Sequence, residues 1–345
     1  MNYVRIIRSG LCSTVQDTGR ARFRHLGVAL GGAMDLMMHE LANQLVGNTA
    51  ALATIEMTLT GDEVEFGADT LIAITGADMT PVICCRDAGS QPVPQHCPVA
   101  IPVGSRLCFQ TARRGCRSYI AIAGGVDVPV VMESRSTVLR AAFGGHRGRK
   151  LAAGDELPIG IPSTTGDRIL AELLSLGGST QPRWFVRPFD LPNPDVAVLR
   201  IVAGTHTSCL SPFELSRLSD SVFRVSSQSD RMGYRLTDHQ LELEQREEML
   251  SEGTVPGTIQ LPPDGNPILL MSDCAPTGGY PRIGHVISAD LGGAAQLRPG
   301  QSVGFVMITL EQAQVAFRQQ RQDLVKALAM AELLIQQQKV QHAPD

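Results

Sequence analysis

At 345 residues the chain is long enough for a sizeable core and for two domains. Its 30 basic and 34 acidic residues leave a formal charge of -4, which excludes the strong non-specific hold on nucleic acid that a basic surface brings. No run of about 18 uninterrupted apolar residues occurs, which excludes a membrane-spanning helix, and the short opening MNYVRIIRSG reads as a strand rather than an export signal. The eight cysteines form no CxxC pair, so they signal neither a structural zinc nor a redox dithiol. Reduced thiols and a cytoplasmic protein are the expectation. The basic residues are almost all arginine, whose fixed fork suits carboxylate or phosphate.

Tyr3 to Ile7 predicts a strand that ends at the Ser9-Gly10 turn. In the next turn, Val15 to Gly19, Asp17 can accept backbone hydrogen bonds and Gly19 can take positive φ. Asp35 is placed as the N-cap of a helix with Met37, Met38, Leu41, Ala42, Leu45 and Val46 at helical spacing, stopped by Gly47-Asn48. The Gly31-Gly32-Ala33 step ahead of it has two readings. It offers backbone N–H groups to an anion at a helix start, or it only permits a tight turn. The density of turn and polar residues from Gly10 to Asn48 points to a loop-built site.

Short strands and turns follow: Thr54 to Leu59, Glu63 to Phe66, Thr70 to Thr75 with Gly76 and Asp78 at its polar end, and Pro81 to Cys85. Beyond a proline-rich connection, Gly104 to Thr111 and Arg117 to Ala123 resume the pattern. Val130 to Lys150 sets Arg135, Arg140, Arg147 and Arg149 beside Ser134, Ser136, Thr137 and Gly144-Gly145. It is an anion-binding loop or a solvated basic loop at a domain edge. After the strand entered at Gly154 to Leu157, Gly160 to Asp195 predicts a crossover between domains with a short helix at Asp167 to Leu176.

The second half predicts a strand at Val196 to Ala203, a short helix at Pro212 to Leu218 and a strand at Val222 to Ser226. The run SDRMGYRL at Ser229 to Leu236 reads as a distant internal echo of Gly31 to Asp35. Gly257 to Pro262 is a glycine-led turn, and Ile268 to Met271 is a strand with Asp273 at its end. In Pro276 to Pro281, Gly278 and Gly279 can bring backbone close to a ligand. Further strands are expected at His285 to Ser288, Ala295 to Leu297, Ser302 to Thr309 and Gln312 to Phe317. Leu324, Leu328, Ala331 and Ile335 make an apolar stripe on a helix from Leu324 to Gln338, which packs back on the second domain or meets a neighbouring protein.

Many short strands, glycine and proline turns and few long helices predict mostly β domains built as barrels; repeated helical crossovers, the mark of a Rossmann-type sheet, are missing. The expected division is 1–195 for an N-terminal barrel with its crossover, 196–320 for a C-terminal barrel, and 321–345 for a helix and tail. The sequence has no GxxxxGK[ST] loop, GxSxG elbow or HExxH motif. Asp17, Asp35, Asp78, Asp230 and Asp273 are the carboxylates in glycine-rich settings, each a base, an orienter of a basic group, or simply a turn or cap residue.

In chain order, GLCSTVQDTGR, GGAMD, LIAITGAD, YIAIAGGVDVP, ESRST, SDRMGYRL, GTIQLPPDGNPILLMSD and PTGGYPRIGHV resemble the biotin-dependent carboxyltransferase-like family, from about residue 5 to residue 310. That family includes the C subunit of bacterial 5-oxoprolinase, under an older label allophanate hydrolase subunit 2, and the matching region of urea carboxylase. The resemblance implies two related cyclophilin-like β-barrel domains with short helices and a C-terminal helix. It implies two partners, a smaller related protein like the 5-oxoprolinase B subunit and a lactam-utilisation-type A subunit, the chain being active only with them. In the 5-oxoprolinase system ATP, with Mg2+, activates 5-oxo-L-proline by phosphorylation for ring opening to L-glutamate. In urea carboxylase the equivalent region moves a carboxyl group from carboxybiotin to urea, and that role in a biotin-dependent urea or amide carboxylase is the alternative. A non-catalytic regulatory role on a partner protein is the third reading. The settings of Lys150, Lys326 and Lys339 carry no biotinylation signature, so no covalently bound biotin is expected on this chain.

For phosphoryl chemistry the expected catalytic set is Asp35, Arg135, Arg147, Asp230 and Arg231, the arginines meeting phosphate and the carboxylates orienting them or Mg2+. Gly31, Gly32, Arg149, Gly278 and Gly279 are the expected cofactor-binding positions, with no metal held by protein ligands alone. Glu133 stands where the resemblance leads one to expect glycine before Ser-Arg-Ser-Thr.

Overall fold

A computed structural model describes residues 2–85, 89–175, 182, 184–186, 191–244 and 249–340. Much of the expected crossover, residue 176 at the end of its helix, and the tail beyond 340 lie outside the described residues. The chain divides into two compact units. The first takes Met1–Gly19, Leu36–Asp190 and Gln322–Asp345; the second takes Arg20–Asp35 and Leu191–Arg321.

In the first unit eleven strands follow in order: β1 Tyr3–Arg8, β2 Cys12–Gln16, β3 Thr54–Thr58, β4 Glu63–Phe66, β5 Thr70–Asp78, β6 Val82–Cys85, β7 Gly89–Pro92, β8 Pro98–Ile101, β9 Arg106–Cys108, β10 Arg114–Ile122 and β11 Glu156–Pro158. They form a six-stranded sheet, β11-β1-β4-β9-β6-β7, and a five-stranded sheet, β2-β3-β10-β5-β8. Alternation in β1 buries Val4 and Ile6 and turns Arg5 outward, where it meets Glu156 at 2.6 Å. The β5 run LIAITGA is buried throughout, as a strand covered on both faces must be. Helix α1, Leu36–Leu45, supplies one cover, and Thr75 Oγ1 donates to the Met38 carbonyl at 2.7 Å. One apolar cluster draws on both sheets, with Val4, Ile6, Val15, Ile55, Met57, Phe66, Ile72 and Ile120 all within it. Each such side chain contributes ~1.5–3 kcal/mol on burial.

His39 of α1 is wholly buried, its Nε2 2.9 Å from the Ala50 carbonyl and its Nδ1 2.9 Å from Thr54 Oγ1. A carbonyl only accepts, so the proton sits on Nε2, and burial keeps this histidine neutral by pushing its pKa below 6.5.

The second unit contains β12 Val196–Ala203, β13 Phe223–Val225, β14 Gly233–Thr237, β15 Glu252–Gly253, β16 Thr258–Gln260, β17 Ile268–Leu270, β18 Thr277–Gly278, β19 Arg282–Val286 and β20 Ser302–Met307. Seven of them close a barrel, β12-β19-β16-β17-β14-β13-β20, while β15 and β18 pair as a separate ribbon. Closure comes from the parallel pairing of β12 with β20, Val196 opposite Ser302 through Ile201 opposite Met307. Leu199, Ile201, Phe223, Leu236, Ile259, Leu269 and Phe305 fill the core together with Met34, contributed from the N-terminal stretch.

The expectation of two related cyclophilin-like barrels is therefore corrected. Among the described residues only the second unit closes; in the first, β7 pairs with β6 alone and β11 with β1 alone, leaving two open sheets. Short strands with frequent turns describe packed open sheets and barrels equally well, and closure depends on which distant edges meet.

Helices complete the architecture: α2 Thr164–Ser175, α3 Pro212–Asp220, α4 Leu291–Ala295 and α5 Leu310–Val340. The strand expected at Gln312 to Phe317 is part of α5. Thr309 makes a reciprocal cap, with Gln312 N–H donating to Thr309 Oγ1 at 3.2 Å and Thr309 N–H to Gln312 Oε1 at 2.9 Å. After it no glycine or proline interrupts the helix-forming run. The strand expected at Ala295 to Leu297 is instead the end of α4, followed by a turn in which the Leu297 N–H donates to the Ala294 carbonyl at 3.1 Å. Of the stripe on α5, Leu324 and Ala331 are buried. No helix among the described residues is long and apolar enough to cross a membrane.

Candidate functional site

In the first unit, the Asp17 turn and the Ser134 to Thr137 loop are one structure. Asp17, 5% exposed, accepts from Ser134 Oγ at 2.6 Å, Ser136 Oγ at 2.5 Å, the Arg135 N–H at 2.5 Å and the Gly19 N–H at 2.8 Å. The Asp17 N–H in turn donates to Ser136 Oγ at 2.8 Å. A buried carboxylate thus finds a donor for nearly every lone pair, which is how such a charge survives in a core. The Arg135 guanidinium turns away from this knot. Its Nε donates to the Val128 carbonyl at 3.0 Å and its Nη2 meets Asp127 at 2.8 Å. Glu133 sits beside it at φ 59°, a left-handed conformation that glycine adopts at no cost.

Arg149 makes a two-pronged pair with Asp155, both contacts 2.7 Å. The guanidinium's hydrogen bonds hold the Asp155 carboxyl down at about 2, against an ordinary 3.8. A carboxylate with a depressed folded pKa stabilises the fold fully above 3.8 and loses that contribution as the pH falls through about 2. Asp155→Asn is expected to cost about 2 kcal/mol at neutral pH and to flatten acid unfolding in that window. Urea midpoints measured at stepped pH check this, and a variant whose acid limb overlays the wild type contradicts it. Arg147 lies exposed in the same loop at φ 59°.

In the second unit three separated motifs converge. Gly31 and Gly32 are both left-handed, at φ 65° and 86°, which lets the backbone turn sharply past the end of β17. The Gly31 N–H donates to the Ser272 carbonyl at 3.0 Å, and Ser272 Oγ to the Ala33 carbonyl at 3.4 Å. The Gly32 carbonyl accepts from Arg231 Nη2 at 2.5 Å. Arg231 is 7% exposed, and its fork closes on Asp273 with Nε–Oδ2 2.9 Å and Nη2–Oδ1 3.0 Å. The Met232 and Arg231 carbonyls accept from the Met271 and Asp273 N–H groups, continuing the β14–β17 pairing. Gly31 to Asp35 and SDRMGYRL, which read as echoes of one another, are thus partners in one unit.

Asp35 is buried and its Oδ2 accepts from Gln296 Nε2 at 2.9 Å. Gly292 gives it room, since a Cβ there would stand 2.9 Å from Oδ1. Asp230 is exposed and closes its own turn, accepting from the Met232 N–H at 2.8 Å and the Gly233 N–H at 3.3 Å. Gly278 lies in the ribbon opposite Glu252, and Gly279 beside it is exposed. Of the anticipated residues, then, the structure joins Arg231 to Gly32 directly and puts Gly31 and Asp35 in the same short segment. Arg135 and Arg149 belong to the other unit.

Beneath the ribbon lies a polar group with no counterpart among the anticipated residues: Thr254, Thr258, Gln260 and His285. Thr254 Oγ1 donates to the Ala275 carbonyl at 2.5 Å, and Arg24 donates to the Thr254 carbonyl. His285 Nδ1 lies 3.4 Å from Thr258 Oγ1, and burial pushes its pKa below 6.5. Burial likewise raises the neighbouring Cys274 thiol to about 11. One sequence signal could have found this group. Gln260 is an amide between Ile259 and Leu261 in a stretch that buries all three.

A family described as "Carboxyltransferase domain, subdomain A and B" matches residues 26–307. The chain is 39% identical over 331 residues to the C subunit of 5-oxoprolinase from Escherichia coli (strain K12), covering 94% of this chain and 97% of that one. It is 30% identical over 329 residues to urea amidolyase of Saccharomyces cerevisiae, covering 89% of this chain and 17% of that much longer one. The crystal structure of K. lactis urea amidolyase superposes with a TM-score of 0.80 at 25% identity, over 94% of this chain and 20% of that one. The segments holding Gly31, Gly32, Arg231 and Asp273 all fall inside the matched region. The chain belongs to the carboxyltransferase domain family, subdomains A and B, and within it is similar to the 5-oxoprolinase C subunit and the urea amidolyases.

Proposed function

We propose that this chain is the carboxyltransferase-type subunit of an enzyme that acts on an amide or lactam, with 5-oxo-L-proline as the substrate. The observation that carries the substrate is the similarity to the 5-oxoprolinase C subunit along 97% of its length. By the same resemblance the chain works beside a smaller partner like the 5-oxoprolinase B subunit, together with a lactam-utilisation-type A subunit. For the chemistry, the family's description and the urea amidolyase relatives support carboxyl transfer to an amide nitrogen more directly than phosphorylation by ATP. A cytoplasmic setting agrees with the free thiols of buried Cys97, Cys116 and Cys274.

The second reading, ATP with Mg2+ activating the lactam oxygen, rests on the 5-oxoprolinase resemblance. Arg135, Arg149 and Arg231 are engaged with Asp127, Asp155 and Asp273. Within the first unit a phosphate would therefore meet Arg147, which is exposed. When bound, Mg2+ and ATP would supply the leaving group and the charge neutralisation; this chain's part would be to position the lactam.

Reconstitution with both partner proteins tests the readings. Glutamate and ADP formed from 5-oxo-L-proline and ATP support the lactam reading, and their loss in Arg147→Ala supports the phosphate contact. A carboxylated product from urea and carboxybiotin supports transfer to urea instead. A complex that turns over neither substrate leaves regulation of a partner protein as the role.

A further inference from the structure

Cys84 and Cys108 stand 24 positions apart in the chain and meet across two strands of the first unit, their sulfurs 2.7 Å apart in a thiol–thiol hydrogen bond. β6 and β9 pair antiparallel with Val82 opposite Cys108 and Cys84 opposite Arg106, so the two thiols are diagonal neighbours. Ile83 and Leu107 point into the core, and alternation puts both cysteines on the opposite face of the sheet. Each is half-buried and keeps surface open to a molecule as small as hydrogen peroxide, whereas Cys97, Cys116 and Cys274 are buried.

The separation selects the chemistry. A disulfide spans about 2.05 Å, so closure asks the two sulfurs to approach by only about 0.7 Å. A metal ion held by two thiolates at about 2.3 Å each would instead spread them to about 3.8 Å. Among the described residues no group of three His, Cys, Asp or Glu side chains comes together to hold such an ion.

The two sulfurs are not equivalent. Burial, then the hydrogen bond to Cys84 and the nearby Glu63 carboxylate, push the Cys108 thiol up to about 12. The shared proton therefore stays on Cys108, and Cys84 supplies the attacking sulfur. Its thiolate attacks one oxygen of hydrogen peroxide and breaks the O–O bond; hydroxide leaves and takes up the proton Cys84 released, and Cys84 becomes a sulfenic acid. The Cys108 sulfur then displaces that hydroxyl, which departs with the Cys108 proton as water while the S–S bond forms. Two thiols and one peroxide give one disulfide and two waters, the sulfurs losing the two electrons that the peroxide gains.

We propose that Cys84 and Cys108 are a reversible oxidation site, which hydrogen peroxide converts to a disulfide clamping the β6–β7 hairpin to β9. β7 pairs with β6 alone, so the β6–β9 pairing is what attaches this hairpin to the sheet. In a reducing compartment such a bond is transient, as in thiols that sense oxidants. The site does not depend on which amide the protein's complex turns over.

The test exposes the reduced full-length chain to hydrogen peroxide and then alkylates it in denaturant with N-ethylmaleimide. Six of its eight thiols are expected to label, all eight after dithiothreitol, with the peptide map joining Cys84 to Cys108. Cys85→Ser, which removes the adjacent thiol, is expected to leave that cross-link intact. In Cys108→Ser, dimedone is expected to trap Cys84 as the sulfenic acid about tenfold faster than any buried cysteine. Hydrogen exchange at the β6 backbone amides is expected to slow about tenfold on oxidation and to recover on reduction. Circular dichroism confirms that the variants fold. Eight labelled thiols after peroxide, or a cross-link that joins Cys84 to Cys85, overturns the site. Unchanged β6 exchange in the cross-linked chain overturns the clamp.

Discussion

Arg231→Ala is expected to destabilise the protein by about 3–5 kcal/mol, because it leaves a buried carboxylate with no counter-charge. The Asp273 side chain is 6% exposed and takes both of its charged contacts from Arg231. The Gly32 carbonyl loses its donor at the same time. The intact pair itself adds little net stability, since desolvating two ions offsets most of their attraction. The double replacement Arg231→Met with Asp273→Leu is accordingly expected to recover most of what the single variant loses. Urea unfolding of the three proteins checks this. A single variant within about 1 kcal/mol of the wild type would mean that water reaches Asp273 and the pair is not a closed element of the core.

Asp17→Ala is expected to cost about 3 kcal/mol and to loosen residues 131–137. The change strips the acceptor from two hydroxyls and two backbone N–H groups at once. Each buried donor left unpaired costs ~1–3 kcal/mol, but the hydroxyls of Ser134 and Ser136 can rotate toward other acceptors, so the sum is not reached. Asp17→Asn keeps the shape, yet its amide nitrogen faces donors, and it should fall between the alanine variant and the wild type. Limited proteolysis reads the loop directly. Cleavage between Val131 and Thr137 no faster in Asp17→Ala than in the wild type would show that the loop is held by something else.

What the chain's pattern made legible was local. The strand at Val196 to Ala203 is present at those bounds, and α1 begins directly after Asp35 as its spacing required. The motifs that carried the resemblance also proved to be the ones with buried polar contacts. ESRST encloses Asp17, while GGAMD, SDRMGYRL and LLMSD interlock through Arg231. What stayed hidden was set by distant pairing. Nothing in the spacing of short strands says that β12 finds β20 and closes one barrel while β7 and β11 remain edges. The fates of Arg135 and Arg149 depended on which carboxylate lay across the turn, Asp127 or Asp155. Gln260 was overlooked because an amide in a strand is ordinary until its nitrogen is seen to have no partner among the described residues. The helix over Gln312 to Phe317 was missed for a smaller reason: its signal is the Thr309–Gln312 cap, which begins just outside the run itself.

The membership of residues 20–35 in the second unit bears on how the protein is made. This segment leaves the ribosome before the strands it packs with, and the Ala33 carbonyl accepts from Ser272, 239 residues further along. Until β17 and the barrel strands have been synthesised, Met34 has no barrel to enter, and Gly31 has no β17 end to bond. Contacts that wait on such distant partners form late and leave apolar chain open to proteases and to other nascent chains. A product truncated between Pro158 and Ser272 therefore carries the apolar run from Val28 to Met34 without its barrel, beside a first unit whose strands are already made, a natural handle for quality-control machinery.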